Sequence, residues 1–192
     1  MGREFELKYA ASEDAFAALK AEFPELTSIA METTYYDSPD GTMGRLHWTF
    51  RRRMENDRSV CTLKTPMAGL GRAEWEVECP DILRAVDLLY EAGAPKQLLL
   101  YTAGGVQESC GARFTRLAGL IPLADATVEL ALDEGVLTGA GRELPFREVE
   151  VELKEGSEEA AVAFGEALAL RFGLIPEYRS KVARARGLAS LQ

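Results

Sequence analysis

The chain has 192 residues, 47% of them hydrophobic and 28% charged, with a formal net charge of −9. Those totals fit one globular domain, residues 1–192, and argue against nucleic acid or an anionic membrane as the main partner. No apolar run reaches the roughly 18 residues of a membrane-spanning helix, and three cysteines without metal-ligand spacing (Cys61, Cys79, Cys110) read as free thiols of a cytoplasmic protein.

Taken in order, Glu4 to Tyr9 alternates as a strand, with Glu4, Glu6 and Lys8 on one face and Phe5 and Leu7 on the other, and the chain enters it with no room for a signal peptide. Ser12 is an N-cap for a short helix through Phe16, Leu19 and Phe23, stopped at Pro24. Ser28 to Asp37 is rich in β-branched and aromatic residues and reads as a strand, closed by the turn Ser38-Pro39-Asp40-Gly41. Leu46 to Met54 and Ser59 to Thr65 read as a hairpin, with Arg51 and Arg53 sharing one face and Arg52 on the other, outer one. The loop Pro66–Gly71 is a lid or a plain connection. Arg72 to Cys79 alternates Glu74, Glu76 and Glu78 against Trp75 and Val77.

A helix follows from Pro80 to a cap at Gly93, and Gln97 to Tyr101 is either helix or strand. Arg113 to Ile121 and Thr127 to Leu132 read as strands, with a turn at Glu134-Gly135. The last long strand, Phe146 to Lys154, sets Glu148, Glu150, Glu152 and Lys154 against Val149, Val151 and Leu153. Helices from Ser157 to Gly173 and from Ser180 to Leu191 end the chain. His47 reads as a surface residue, and Trp48 and Trp75 as packing between sheet and helices.

Without a βαβ rhythm, about eight strands with helices at intervals make an antiparallel α+β barrel the economical fold. A charged strand face is ordinarily the wet side of a sheet. Two acidic–basic strands with basic ones between them support the opposite arrangement, with the charges lining a barrel interior. The matching acids are Glu4, Glu6, Glu74, Glu76, Glu129, Asp133, Glu148, Glu150 and Glu152; the bases are Lys8, Arg51, Arg53, Lys64 and Arg116. Enclosed carboxylates suit a hard cation such as Mg²⁺ or Mn²⁺, and arginine and lysine suit phosphate oxygens.

The ordered set Glu4-Phe5-Glu6-Leu7-Lys8, Tyr35-Tyr36-Asp37-Ser38-Pro39-Asp40, Arg51-Arg52-Arg53, Thr62-Leu63-Lys64, Glu74-Trp75-Glu76, Phe114-Thr115-Arg116, the acidic strand at 148–152, and Ser180-Lys181 resembles the CYTH superfamily, the triphosphate tunnel metalloenzymes. Two departures stand out: Arg52 lies where the family usually has an apolar residue, and Arg184 is followed by Ala185 rather than glycine. The resemblance implies an eight-stranded antiparallel β-barrel with flanking helices that hydrolyses a triphosphate, inorganic or organic, with Mg²⁺ or Mn²⁺. Alternatives are adenylate cyclase chemistry of class IV type, thiamine triphosphatase, and a non-catalytic polyphosphate-binding module. It implies metal binding by Glu4, Glu6, Glu74, Glu76, Glu148, Glu150 and Glu152. The implied phosphate contacts are Lys8, Arg51, Arg53, Lys64, Arg116 and Lys181, with Glu4, Glu6, Lys8, Arg51, Arg53 and Lys64 carrying catalysis. The expected partner is a small-molecule triphosphate; a homodimer is left open.

Overall fold

A computed structural model describes residues 2–3, 5–67 and 72–190, the first two by their backbone alone. Glu4 and most of the loop at 66–71 therefore lie outside the described residues. The chain runs β1 (Gly2–Arg3), β2 (Glu6–Ala10), α1 (Glu13–Glu22), β3 (Thr27–Asp37), α2 (Thr42–Arg45), β4 (Thr49–Glu55), β5 (Arg58–Pro66) and β6 (Arg72–Glu78). It continues through α3 (Ile82–Glu91), α4 (Gln97–Thr102), β7 (Gln107–Pro122), β8 (Ala126–Gly139), β9 (Arg142–Gly156), α5 (Glu158–Phe172), β10 (Ile175–Pro176) and α6 (Lys181–Gly187), with a closing 3₁₀ turn at Leu188–Ser190.

The strands form one sheet in the order β1-β6-β5-β4-β3-β7-β8-β9-β2-β10, antiparallel throughout. Eight of these strands are five residues or longer, as expected. The N-terminal chain borders both ends of the sheet: Gly2 and Arg3 pair with β6, and Glu6 to Ala10 pair with β9. The sheet thus curls into a tunnel with a seam at this chain. β2 gives its second edge to β10 rather than to β6, so the seam is not a continuous ladder.

Outward-facing apolar residues of the strands pack under the helices. On one side Tyr9, Val128, Leu130, Val149 and Val151 meet Phe16 and Leu19 of α1 and Ala161 and Leu168 of α5. On the other, Phe50, Cys61, Leu63 and Trp75 meet Ala85, Leu89 and Leu98 of α3 and α4. Gly165 lets α5 come close to β2, since a Cβ there would stand 2.7 Å from the Tyr9 hydroxyl. With the apolar faces outward, the charged faces must point in.

Boundaries differ from the sequence expectation in places with identifiable causes. Glu134-Gly135 is not a turn. β8 runs on to Gly139, and Gly135 serves close strand contact, because a Cβ would lie 2.1 Å from the Arg113 carbonyl oxygen. The turn falls at Ala140-Gly141, both at positive φ. Leu46 to Trp48 is not strand, because α2 occupies Thr42–Arg45 and His47 takes φ 57°. His47 is exposed, in a turn rather than a strand. The ambiguous 97–101 stretch is helix, and α3 starts at Ile82 rather than Pro80, capped by Asp81, which accepts from the Leu83 and Arg84 amides.

Candidate active site

The tunnel interior holds a cavity of about 760 Å³. Alternation along each strand puts Arg51 and Arg53 of β4, Lys64 of β5, Glu74 and Glu76 of β6, Arg116 of β7, Glu150 and Glu152 of β9, and Glu6 and Lys8 of β2 on its wall. Lys181, at the start of α6, lines it as well. Arg52 points outward, donating to the Pro80 carbonyl at 3.1 Å. Among the described residues nine basic and six acidic side chains line the cavity. An acidic protein has gathered much of its positive charge in one enclosed place.

The two inward arginines of β4 are weakly compensated. Arg53 is 8% exposed, donates its Nε to Thr33 Oγ1 at 3.2 Å, and has Glu55 only at 3.9 Å. Burial, then the neighbouring Arg51 and Arg116, push its guanidinium down to about 10. The Arg51 Nε is buried without a hydrogen-bond partner. Buried cations short of anions have the charge and donor geometry of an oxyanion site.

The acids divide into three groups. On β6, Glu74 is 3.4 Å from Lys64, and Glu76 accepts from Thr62 at 3.5 Å. Beyond the seam, Glu6 of β2, Glu152 of β9 and Glu129 of β8 form one lateral row, each directly opposite the next. Like charges in register repel and require cations. Here Lys8 sits 3.1 Å from Glu6, while Lys154 sits 2.8 Å from Glu152 and 3.6 Å from Glu129. Side-chain oxygens from adjacent strands, partly exposed and with lysines beside them, fit a hard divalent cation.

The third group is built differently. Asp133, Glu148 and Glu150 converge so closely that one oxygen of each lies within 4.8 Å of the others. Lys181 fills that point, 2.8 Å from Asp133, 2.7 Å from Glu150 and bonded to Glu148. Arg116 binds Asp133 through two hydrogen bonds at 2.8 and 2.7 Å and also reaches Glu150, and Arg184 pairs with Glu148. Phe114 and Phe146 lie beneath, with Lys181 5.4 and 5.5 Å from their ring centres. Burial pushes the Glu148 carboxyl up to about 7 even with Lys181 beside it. For Glu150 burial acts the same way, but Lys181 and Arg116 outweigh it and hold the carboxyl well below its usual range.

Glu148, expected among the metal ligands, does not line the cavity; it is fully buried behind Lys181, with its oxygens engaged by Lys181 and Arg184. Lys181 and Arg116 face the cavity yet are themselves engaged with carboxylates, so they are less available to a phosphate than Arg51 and Arg53.

Sequence reasoning assigned no role at the site to Tyr35, Thr49, Glu55, Arg72, Tyr178 or Arg179, all on the cavity wall. Thr49 shares the inward phase of Arg51 and Arg53 along β4, as strand alternation already implies, and Tyr35 pairs with Arg51 across the β3–β4 register. The Asp37-Ser38-Pro39-Asp40 stretch, by contrast, is scaffold. Asp37 accepts from the Gly44 amide at 3.1 Å and from Arg186 of α6 at 3.3 Å, and Asp40 accepts from Thr42. Arg184 and Arg186 therefore both anchor α6.

Comparison with known proteins agrees with this architecture. The chain is 26% identical to an inorganic triphosphatase of Haemophilus influenzae over its full length, and spans 56% of the length of that curated relative. Among solved structures it resembles HpAC1 of Hippeastrum, described as having a dominant triphosphatase activity (TM-score 0.67, 19% identity, covering 96% of this chain and 95% of that one). It also resembles a Bacillus halodurans protein assigned provisionally to the adenylate cyclases (TM-score 0.66, 19% identity, covering 96% and 98%). Both share the fold. The CYTH domain model matches residues 2–185, and with nearly the whole chain so covered, this protein belongs to the CYTH domain family.

Proposed function

We propose that this protein is a divalent-metal-dependent triphosphatase, hydrolysing inorganic triphosphate or an organic triphosphate inside the tunnel. The observation that carries the reading is the pair Arg51 and Arg53, enclosed cations of which Arg53 has an anionic partner only at 3.9 Å and Arg51 has no ion pair among the described residues, across the tunnel from carboxylates that lysines accompany. The phosphate chain would take the place of the missing anions, gripped by Arg51, Arg53 and Lys64, with Lys8 freed from Glu6 to join them. Glu6 and Glu152 would hold a Mg²⁺ or Mn²⁺ ion, with Glu150 beside them. The chemistry such an ion supplies there is neutralisation and orientation of phosphate oxygens.

Glu74 and Glu76, on β6 at the seam, would orient a water molecule against the terminal phosphorus. As its oxygen bonds to phosphorus, the bridging P–O bond breaks, diphosphate and orthophosphate leave, and the water's proton passes to a carboxylate or solvent. Fixed position and fixed charge supply most of the rate in such a reaction.

The test is phosphate release from inorganic triphosphate, ATP and thiamine triphosphate, each with Mg²⁺, Mn²⁺ or a chelator, with cyclic AMP measured in the ATP arm. The expected result is orthophosphate release that the chelator abolishes. A cyclic product without orthophosphate would replace the reading with a cyclase, and binding without turnover would leave a phosphate-binding module.

A further inference from the structure

Between β10 and α6 the chain passes along the cavity wall, and two of its residues there are exposed. Tyr178 is 90% exposed although it lines the cavity. Arg179, its neighbour, also lines the cavity, with a side chain 70% exposed. A bare phosphate chain has no use for an exposed phenol ring.

The segment that carries these residues is held at both ends. Pro176 pairs with Tyr9, and the Glu177 amide donates to the Lys8 carbonyl at 2.9 Å. On the far side the Ser180 hydroxyl caps α6, and Lys181 is locked into its three carboxylates. Glu177, only 13% exposed at its side chain, grips Arg179 edge-on through two hydrogen bonds, Nε at 3.0 Å and Nη2 at 2.9 Å. Hydrogen bonds from Arg179 keep the Glu177 carboxyl near 2, so the pair persists across neutral pH. A guanidinium fixed by its edge is a flat cation whose faces can stack. Tyrosine and arginine side by side on a braced span form a preorganised platform for a flat ring.

The geometry points to Tyr178 and Arg179 as specificity residues that stack on the aromatic ring of a triphosphate ester while its phosphate tail enters the tunnel. This rests on the triphosphatase reading and narrows it, because such a site favours a ring-bearing triphosphate over the inorganic one.

The test is calorimetric binding of ATP and of inorganic triphosphate, each with Mg²⁺, to wild type, Tyr178→Ala, Tyr178→Phe and Arg179→Lys. Stacking contributions predict about a tenfold or greater loss of ATP affinity in Tyr178→Ala, with inorganic triphosphate changed less than about twofold. Tyr178→Phe keeps the ring and should keep ATP affinity. Arg179→Lys keeps the charge but loses the plane, so it should weaken ATP selectively. Equal losses for both ligands, or no loss for either, would overturn the platform. Failure of the triphosphatase reading shows separately, as no phosphate release from any triphosphate while ring-dependent binding persists. Binding of neither ligand would overturn both.

Discussion

Arg51, Arg52 and Arg53 are three identical side chains in three situations. Arg51 and Arg53 are turned into the tunnel, and Arg52 is turned onto the Pro80 carbonyl. Loss of a charge-assisted phosphate contact in Arg51→Ala or Arg53→Ala should cost on the order of 1.5–3 kcal/mol, a roughly ten- to hundredfold drop in kcat/KM with the metal requirement intact. Arg52→Ala should fall within about 0.5 kcal/mol of wild type, and a large effect there would mean a register shifted by one. Arg53 makes a second prediction. Its folded value near 10 lies below the ordinary 12.5, so the charged form is disfavoured on folding. That cost is present at every pH below about 10 and fades as pH rises from there towards 12.5. Arg53→Met should therefore lose activity while raising Tm at pH 7, by about 2–4 °C for each kcal/mol relieved. A lower Tm at neutral pH would show that Arg53 is compensated after all.

At the scale of elements, α6 is what the interior charges hold in place. Lys181, Arg184 and Arg186 tie it to β8, β9 and the end of β3, and Gly139 admits it closely, since a Cβ there would stand 2.3 Å from the Ala185 carbonyl oxygen. Lys181→Met would leave three carboxylates with only Arg116 and Arg184 to balance them, a loss of about 3–5 kcal/mol at pH 8. The loss should shrink as pH falls towards 5, because Glu148, already near 7 with Lys181 present, moves higher without it and becomes protonated. Denaturant melts of both proteins across that range check the sign; a deficit independent of pH would detach Lys181 from Glu148. Gly139→Ala should cost on the order of 1–3 kcal/mol through displacement of α6, again by denaturant unfolding.

These docking roles were out of reach of the sequence. The strict two-residue alternation at 148–154 was enough to place Glu150 and Glu152 inside, but alternation fixes a side chain's face, not its depth. Glu148 and Glu152 share a phase, yet one lies buried under α6 and the other lines the cavity. Gly135 read as a turn because local signals cannot show the neighbouring strand that demands it.

Over the whole molecule, charge is sorted by compartment. The chain carries −9 overall, while its cavity has more basic than acidic side chains. Burial of that many charges costs stability unless a ligand completes them. Triphosphate with its metal should therefore stabilise the fold, raising Tm with ligand concentration as mass action requires. The apolar outer faces under α1, α5, α3 and α4 carry the folding energy and leave the inner face to chemistry. The strand pattern made that division legible in advance. The seam at β2, where β10 replaces β6, was not, because a two-residue strand leaves no periodicity to read.

The most direct test of the account is a crystal structure with Mn²⁺ and a non-hydrolysable triphosphate analogue, using the anomalous signal of the metal. The account predicts phosphate oxygens within hydrogen-bonding distance of Arg51, Arg53 and Lys64, manganese at Glu6 and Glu152, and Lys181 still seated among Asp133, Glu148 and Glu150. Triphosphate bound outside the tunnel, or manganese in the place of the Lys181 ammonium, would contradict it.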